Sequence, residues 1–306
     1  MKKIYLIAGG VFVLLILIAI GVVLIVTGLD LNILSNDKNI AEITIDNELV
    51  LKTENPGMFG VKNPSVKDYI DELDKAENDP NIKAIILKVN CPGGEVVASE
   101  KLARKVKEVS EKKPVVAYVE TLGASGAYMT IAPANYIVAE KHSIVGSIGV
   151  RMDIIHYYGL MKKIGINTTV IKAGKFKDIG SPYRPMTLEE KDYLEKMINE
   201  TYMDFVKWVA ENRNMTINET LKVADGKIYS GSDAKKVGLV DAVGTEEDAI
   251  NITAKLANIS NPKVVEYSPV NSNGLFDVSS DIAYSLGYGI GQALKETEKS
   301  NIGLYY

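Results

Sequence analysis

Two stretches decide the fold: AIILKVNCPGG (Ala84–Gly94) and VVAYVETLGASG (Val115–Gly126), each a short apolar run ending in a glycine-rich turn. Runs that are apolar on both faces belong to strands buried in a parallel sheet. A helical pattern from about Glu95 to Glu111, stopped by Lys112-Lys113-Pro114, joins them into a βαβ unit. The alternation extends outward in both directions. Upstream lie a strand at Ile40–Asp46 and a helix at Asp68–Ala76, with Tyr69, Ile70, Leu73 and Ala76 on one face. Downstream the pattern predicts a short helix Ala127–Ala132, a strand Tyr136–Glu140, a helix Ile154–Lys163 and a strand Asn167–Ala173. A loop with Gly174, Gly180 and Pro182 leads to a long helix reaching about Asn212. Thr187 and Glu190 form a capping box at its start, each satisfying a free backbone N–H of the other. Helices at Thr216–Ala224 and Ser232–Val237, a strand at Leu239–Val243 and a helix at Glu246–Asn258 complete an α/β domain over 40–267. From Ser268 to Tyr306 the composition shifts to Asn, Ser, Gly and Tyr, with one helical stretch at Ile282–Glu298.

Composition narrows the chemistry. The 306 residues carry 35 Lys plus Arg against 39 Asp plus Glu, a formal charge of -4 that argues against nucleic acid. Cys91 is the single cysteine, so no intramolecular disulfide forms. Together with His142 and His156 it cannot make a standard zinc cluster. No metal and no cofactor are expected.

Ile4–Thr27 contains no charge over 24 residues, against the roughly 20 that span a bilayer core. It reads as a retained transmembrane helix, because the apolar part of a cleaved signal peptide runs only about 7–15 residues and ends at a small-residue site. Lys2 and Lys3 form the stub 1–3, and the linker 28–39 is mildly acidic. The positive-inside rule puts the N-terminus in the cytoplasm and the body outside, a single-pass protein of the cell membrane. Without the two lysines the body carries -6. Six Asn-x-Ser/Thr sequons, at Asn167, Asn199, Asn214, Asn218, Asn251 and Asn258, would be open to glycosylation there, though chance in an Asn-rich chain also explains them.

The glycine turns Cys91–Gly94 and Gly123–Gly126 follow strands of one parallel sheet, so they can face each other across a crevice at its edge. A small-Ser-Gly turn opening a helix exposes a hydroxyl, and adjacent glycines present unobstructed N–H groups to an oxyanion. Ser125 is thus a candidate nucleophile, with Gly93 and Gly94 as oxyanion donors. The same residues also suit a plain tight turn with Ser125 capping a helix. Neither histidine is well placed as a base: His142 sits in a turn and His156 beside two tyrosines. A lysine base requires burial, since only roughly 0.04% of a free lysine is neutral at pH 7. Lys172, Lys175 and Lys177 are all available in one short segment.

VNCPGG (Val89–Gly94), YVETLGASGAYM (Tyr118–Met129), GSIGV (Gly146–Val150), KAGKFKDIGSPYRPMTLEEK (Lys172–Lys191) and GKIYSGSDAKKVGLVDAVG (Gly226–Gly244) together resemble the signal peptide peptidase, or protease IV, family. The resemblance covers about Ile40–Ala257 and implies a Clp protease/crotonase-like fold of repeated ββα-type units with a mostly parallel sheet. It places the nucleophile on Ser125, the general base on Lys177, a serine that hydrogen-bonds the base on Ser147, and the oxyanion hole on Gly93 and Gly94. Cys91 departs from the family's usual serine at that position. The family further implies cleavage of hydrophobic peptides, chiefly released signal peptides. It also implies a ring-like homo-oligomer, an octamer in half-length members, whose serine and lysine come from neighbouring protomers. Two alternatives remain: a crotonase-type acyl-CoA enzyme, and a membrane-anchored scaffold with an inactive site. A Cys91 nucleophile is disfavoured because no histidine lies near it in sequence.

Overall fold

The computed structural model describes residues 38–53 and 63–268. Within them the alternation runs β1 (Ile40–Ile45), α1 (Val66–Asn78), β2 (Ala84–Cys91), α2 (Val96–Ser110), β3 (Val115–Ala124), α3 (Gly126–Ile131) and β4 (Tyr136–Ala139). β5 (Ile144–Gly146), α4 (Tyr158–Lys163), α5 (Leu188–Asn212), α6 (Ile217–Val223), β6 (Ile228–Ser230), α7 (Gly231–Lys236), β7 (Ala242–Val243), α8 (Glu246–Leu256) and β8 (Val264–Glu266) follow. The fold is α/β. One sheet is ordered β6-β5-β3-β2-β1-β8, with β4 joining β3 to β7, and every pair is parallel except β5 with β6.

Side-chain alternation along β2 explains its unbroken apolar run. Ile85, Leu87 and Val89 pack with Leu73 of α1 and with Leu102 and Val106 of α2, whereas Ile86 packs on the opposite face with Ala249 and Ala254 of α8. Each such fully buried aliphatic side chain contributes about 1.5–3 kcal/mol.

The pairing of β2 with β3 then slips. Val89 faces Val119 but Cys91 faces Gly123, so β3 holds two extra residues in that interval. Below the slip β3 pairs with β4; above it, Leu122–Ala124 pair with β5 instead. The bulge shifts the end of β3 from β4 to β5 within the same sheet and brings its terminal turn beside β5.

Several expectations change. The β-branched run 167–173 forms no strand, and the predicted helix from Ile154 shortens to α4. Both lie in an arm, about residues 151–187, whose apolar side chains are left outside the core: Ile155 is 68% and Ile171 96% exposed. With no sheet edge to pair with, β propensity has nothing to act on. The strand at Leu239–Val243 contracts to β7, while β5, β6 and β8, at three residues each, are too short for a periodic pattern. The Thr187–Glu190 capping box forms as expected, with Glu190 N–H donating to Thr187 Oγ1 at 3.2 Å. The stub 1–3, the apolar stretch 4–27, nearly all of the linker and the tail from 269 lie outside the described residues. Among the described residues no helix is long and apolar enough to cross a membrane.

Candidate active site

Ser125 occupies the corner between β3 and α3 with φ 54° and ψ -126°. A serine there is strained by about 1–3 kcal/mol, and it persists because both flanks are pinned. Ser125 N–H donates to Gly146 O at 2.8 Å, and Met129 N–H returns to Ser125 O at 3.0 Å. Although Ser125 stands at the N-cap position, its side chain makes no capping bond. The hydroxyl is thus without a hydrogen bond among the described residues, and Ser125 does not cap α3. A sharp strand-to-helix turn of this kind exposes a nucleophilic Oγ.

The Pro92–Gly94 turn lies against this corner. Gly93 has φ 105°, and a Cβ on it would sit 2.6 Å from Gly126 N and 2.9 Å from Ser125 Cβ. A Cβ on Gly94 would lie 2.1 Å from Leu49 O. Only glycine permits these approaches. Leu49 clamps the turn from the far side: its N–H donates to Gly93 O and its carbonyl accepts from Glu95 N–H, both at 2.8 Å. Gly93 N–H is turned to Cys91 Sγ at 3.4 Å. Among the described residues, the N–H groups of Gly94 and Gly126 have no acceptor. Gly126 was not among the expected site residues; the donor that follows a nucleophile in such elbows is the signal that could have found it.

Cys91 is buried beneath the turn, and its thiol donates to Asn47 O at 2.9 Å. Burial pushes its pKa up to about 11, which keeps it a thiol and unsuits it as a nucleophile.

Ser125, Gly93, Gly94, Gly126 and Ser147 all line one cavity of about 730 Å³. Ser147, with φ 51°, follows β5 and is fixed by its N–H donating to Lys227 O at 2.8 Å. The apolar wall includes Met129, Phe205 and Ala224. Sequence reasoning missed Phe205 and Tyr202, which α5 delivers from about 80 residues downstream of Ser125.

Lys177 does not line this cavity. It lies exposed on the arm, where its neighbours are already engaged: Lys172 pairs with Asp178, and Lys175 with Glu189. Among the described residues the Lys177 ammonium has no such partner. Lys227 has its backbone beside Ser147, but the Tyr229 hydroxyl and then the Asp225 carboxylate raise its pKa and hold it as an ammonium. The histidines stay apart from the cavity lining, and no group of three or more metal-ligating side chains occurs among the described residues.

A model of Peptidase family S49 matches residues 107–260. A protein of Methanocaldococcus jannaschii assigned as a protease is 59% identical over 98% of both chains. A protein of Enterococcus faecium assigned as the signal peptide peptidase SppA is 30% identical over 76% of this chain and 68% of its own. The chloroplast serine protease SPPA of Arabidopsis thaliana is 35% identical over 75% of this chain and 34% of its own.

Proposed function

Since this chain belongs to peptidase family S49 and is a serine-type peptidase, we propose that it is an endopeptidase of hydrophobic peptides working through Ser125 and a Lys177 supplied by a neighbouring copy. The observation that carries this is the strained, uncapped Ser125 lining one cavity with Gly94 and Gly126, whose N–H groups have no acceptor among the described residues. In the reaction, neutral Lys177 takes the Ser125 proton and Oγ attacks the scissile carbonyl carbon. The oxyanion then settles against the glycine N–H groups. Collapse breaks the C–N bond, Lys177 returns its proton to the leaving amine, and water repeats the sequence on the acyl-enzyme to release the acid. Ser147, at the same cavity, would orient the lysine by hydrogen bonding.

Two features support a base from a second copy. Among the described residues Lys177 is the lysine of its segment without an ion-pair partner, and the arm bearing it exposes Ile155, Leu160 and Ile171. Covering that apolar surface with a neighbour would also desolvate the lysine, which favours its neutral form. A closed ring repeats this head-to-tail contact around an axis. The Met129, Phe205 and Ala224 wall suits apolar side chains. Signal peptides are apolar, and the uncharged stretch 4–27 would hold the enzyme at the membrane where they are released, with its body outside the cell.

Ser125→Ala and Lys177→Ala should each abolish cleavage of an apolar fluorogenic peptide without changing the oligomer mass. Mixed together after dissociation and reassembly, the two dead variants should regain about one quarter of parental activity, because a random ring pairs an intact serine with an intact neighbouring lysine at about that frequency. No recovery from mixing would rule out a shared site, and activity in Ser125→Ala would rule out the nucleophile.

A further inference from the structure

The loop bearing Lys177 is short of core contacts yet held by a dense set of charged hydrogen bonds, and Arg184 is at their centre. Its Nε donates to Asp178 Oδ2 at 2.8 Å and its Nη2 to Asp178 Oδ1 at 2.7 Å, a two-pronged pair. Nη1 donates to Glu190 Oε2 at 2.8 Å and to Pro185 O at 3.0 Å, while Nη2 also reaches Glu190 Oε1. Glu190 is 3% exposed and is itself locked by Thr187 N–H at 2.9 Å as the capping residue of α5. One guanidinium thus ties the residue next to Lys177 to the rigid first turn of a 25-residue helix. The fork geometry of arginine fits two carboxylates as lysine cannot.

The same clasp settles the local charge. Asp178 is occupied by Arg184 on one side and by Lys172 on the other, so it does not close onto the adjacent Lys177. The backbone around Lys177 is wound to match: its N–H donates to Gly174 O at 3.2 Å, and Ser181 N–H to Asp178 O at 3.0 Å. Phe176 stacks on Tyr193 of α5 with ring centres 5.8 Å apart, a second tie to the helix.

We propose that Arg184 is the positioning residue of the general base: it clasps Asp178 to the start of α5 so that the Lys177 ammonium projects alone from a preformed loop. This rests on the reading of Lys177 as the base. A misplacement of about 1 Å costs on the order of 100-fold in rate. Arg184→Gln should therefore lower kcat about 10- to 100-fold, with KM within about twofold and oligomer mass unchanged. Arg184→Lys, which keeps the charge but not the fork, should recover only part of the loss. An Arg184→Gln enzyme with parental kcat would overturn the inference, as would a loss that comes with a changed oligomer mass. Parental activity in Lys177→Ala alone would instead sink the assignment of the base and leave the clasp a purely structural feature.

Discussion

Replacing Gly93 by alanine tests the oxyanion geometry directly. The new Cβ would stand 2.6 Å from Gly126 N, where ordinary contact begins at 3.4 Å, so the two turns must separate by about 0.8 Å. An oxyanion donor works over about 2.7–3.1 Å, and a displacement of that size removes it from range. Loss of one donor costs about 10²–10³ in kcat, or roughly 2.7–4 kcal/mol of transition-state stabilisation. Alanine at φ 105° adds backbone strain of about 1–3 kcal/mol, which lowers Tm by several degrees in a body of this size. Gly238→Ala is the control, because Gly238 has φ 82° but no atom within 4 Å of the added Cβ. It should lose stability of about 1 kcal/mol and keep kcat. Steady-state hydrolysis of an apolar fluorogenic peptide, with circular-dichroism melts of both variants, separates the two effects. If Gly93→Ala holds kcat within about fivefold while Tm falls, the close approach of the turns is structural and the oxyanion assignment is wrong.

Other consequences are independent of that one. With its pKa pushed up to about 11 by burial, Cys91 should resist iodoacetamide at pH 8 in the native protein and react in denaturant; rapid native labelling, read by mass spectrometry, would contradict the packing. Glu190 is held down to about 2 by the Arg184 guanidinium and by Thr187, and Asp178 is held low first by Arg184 and then by Lys172. Their folded pKa values lie below the unfolded ones, so the stabilisation is complete above about pH 4.5 and is lost as pH falls toward 2. Amide protection factors over 172–190, with the intrinsic pH dependence of exchange divided out, should fall across that window and stay constant from pH 5 to 8. Trp208 Nε1 donates to Met129 O at 2.9 Å, joining α5 to the end of α3. Trp208→Phe should cost about 1–3 kcal/mol by leaving that carbonyl unpaired, seen as a lower Tm with kcat within about twofold.

The long apolar runs at Ala84–Val89 and Val115–Val119 announced their strands, and the parallel sheet with them, because burial on both faces demands an unbroken hydrophobic run. The capping box at Thr187 announced the start of α5, since it depends only on residues three apart. β5, β6 and β8 carry no such local mark; each exists because a neighbouring strand offers it partners. The run 167–173 shows the converse, a strand-like composition with no strand beside it.

The same division holds for the site. Ser125, Gly93 and Gly94 could be picked out as residue types in turns, yet sequence alone left open whether Ser125 caps a helix or stands free. Only the fold answers, through the bulge in β3, the bond from Ser125 N–H to Gly146 O, and the press of Gly93 on Gly126. Among three adjacent lysines, composition has no means of choosing; ion pairs to Asp178 and Glu189 occupy two of them and leave Lys177 without one among the described residues. Turn chemistry and hydrophobic period are local and therefore legible in order along the chain. Which hydroxyl is unbonded, which N–H lacks an acceptor and which ammonium stands alone depend on how the chain is folded around each group, and tertiary structure decides them.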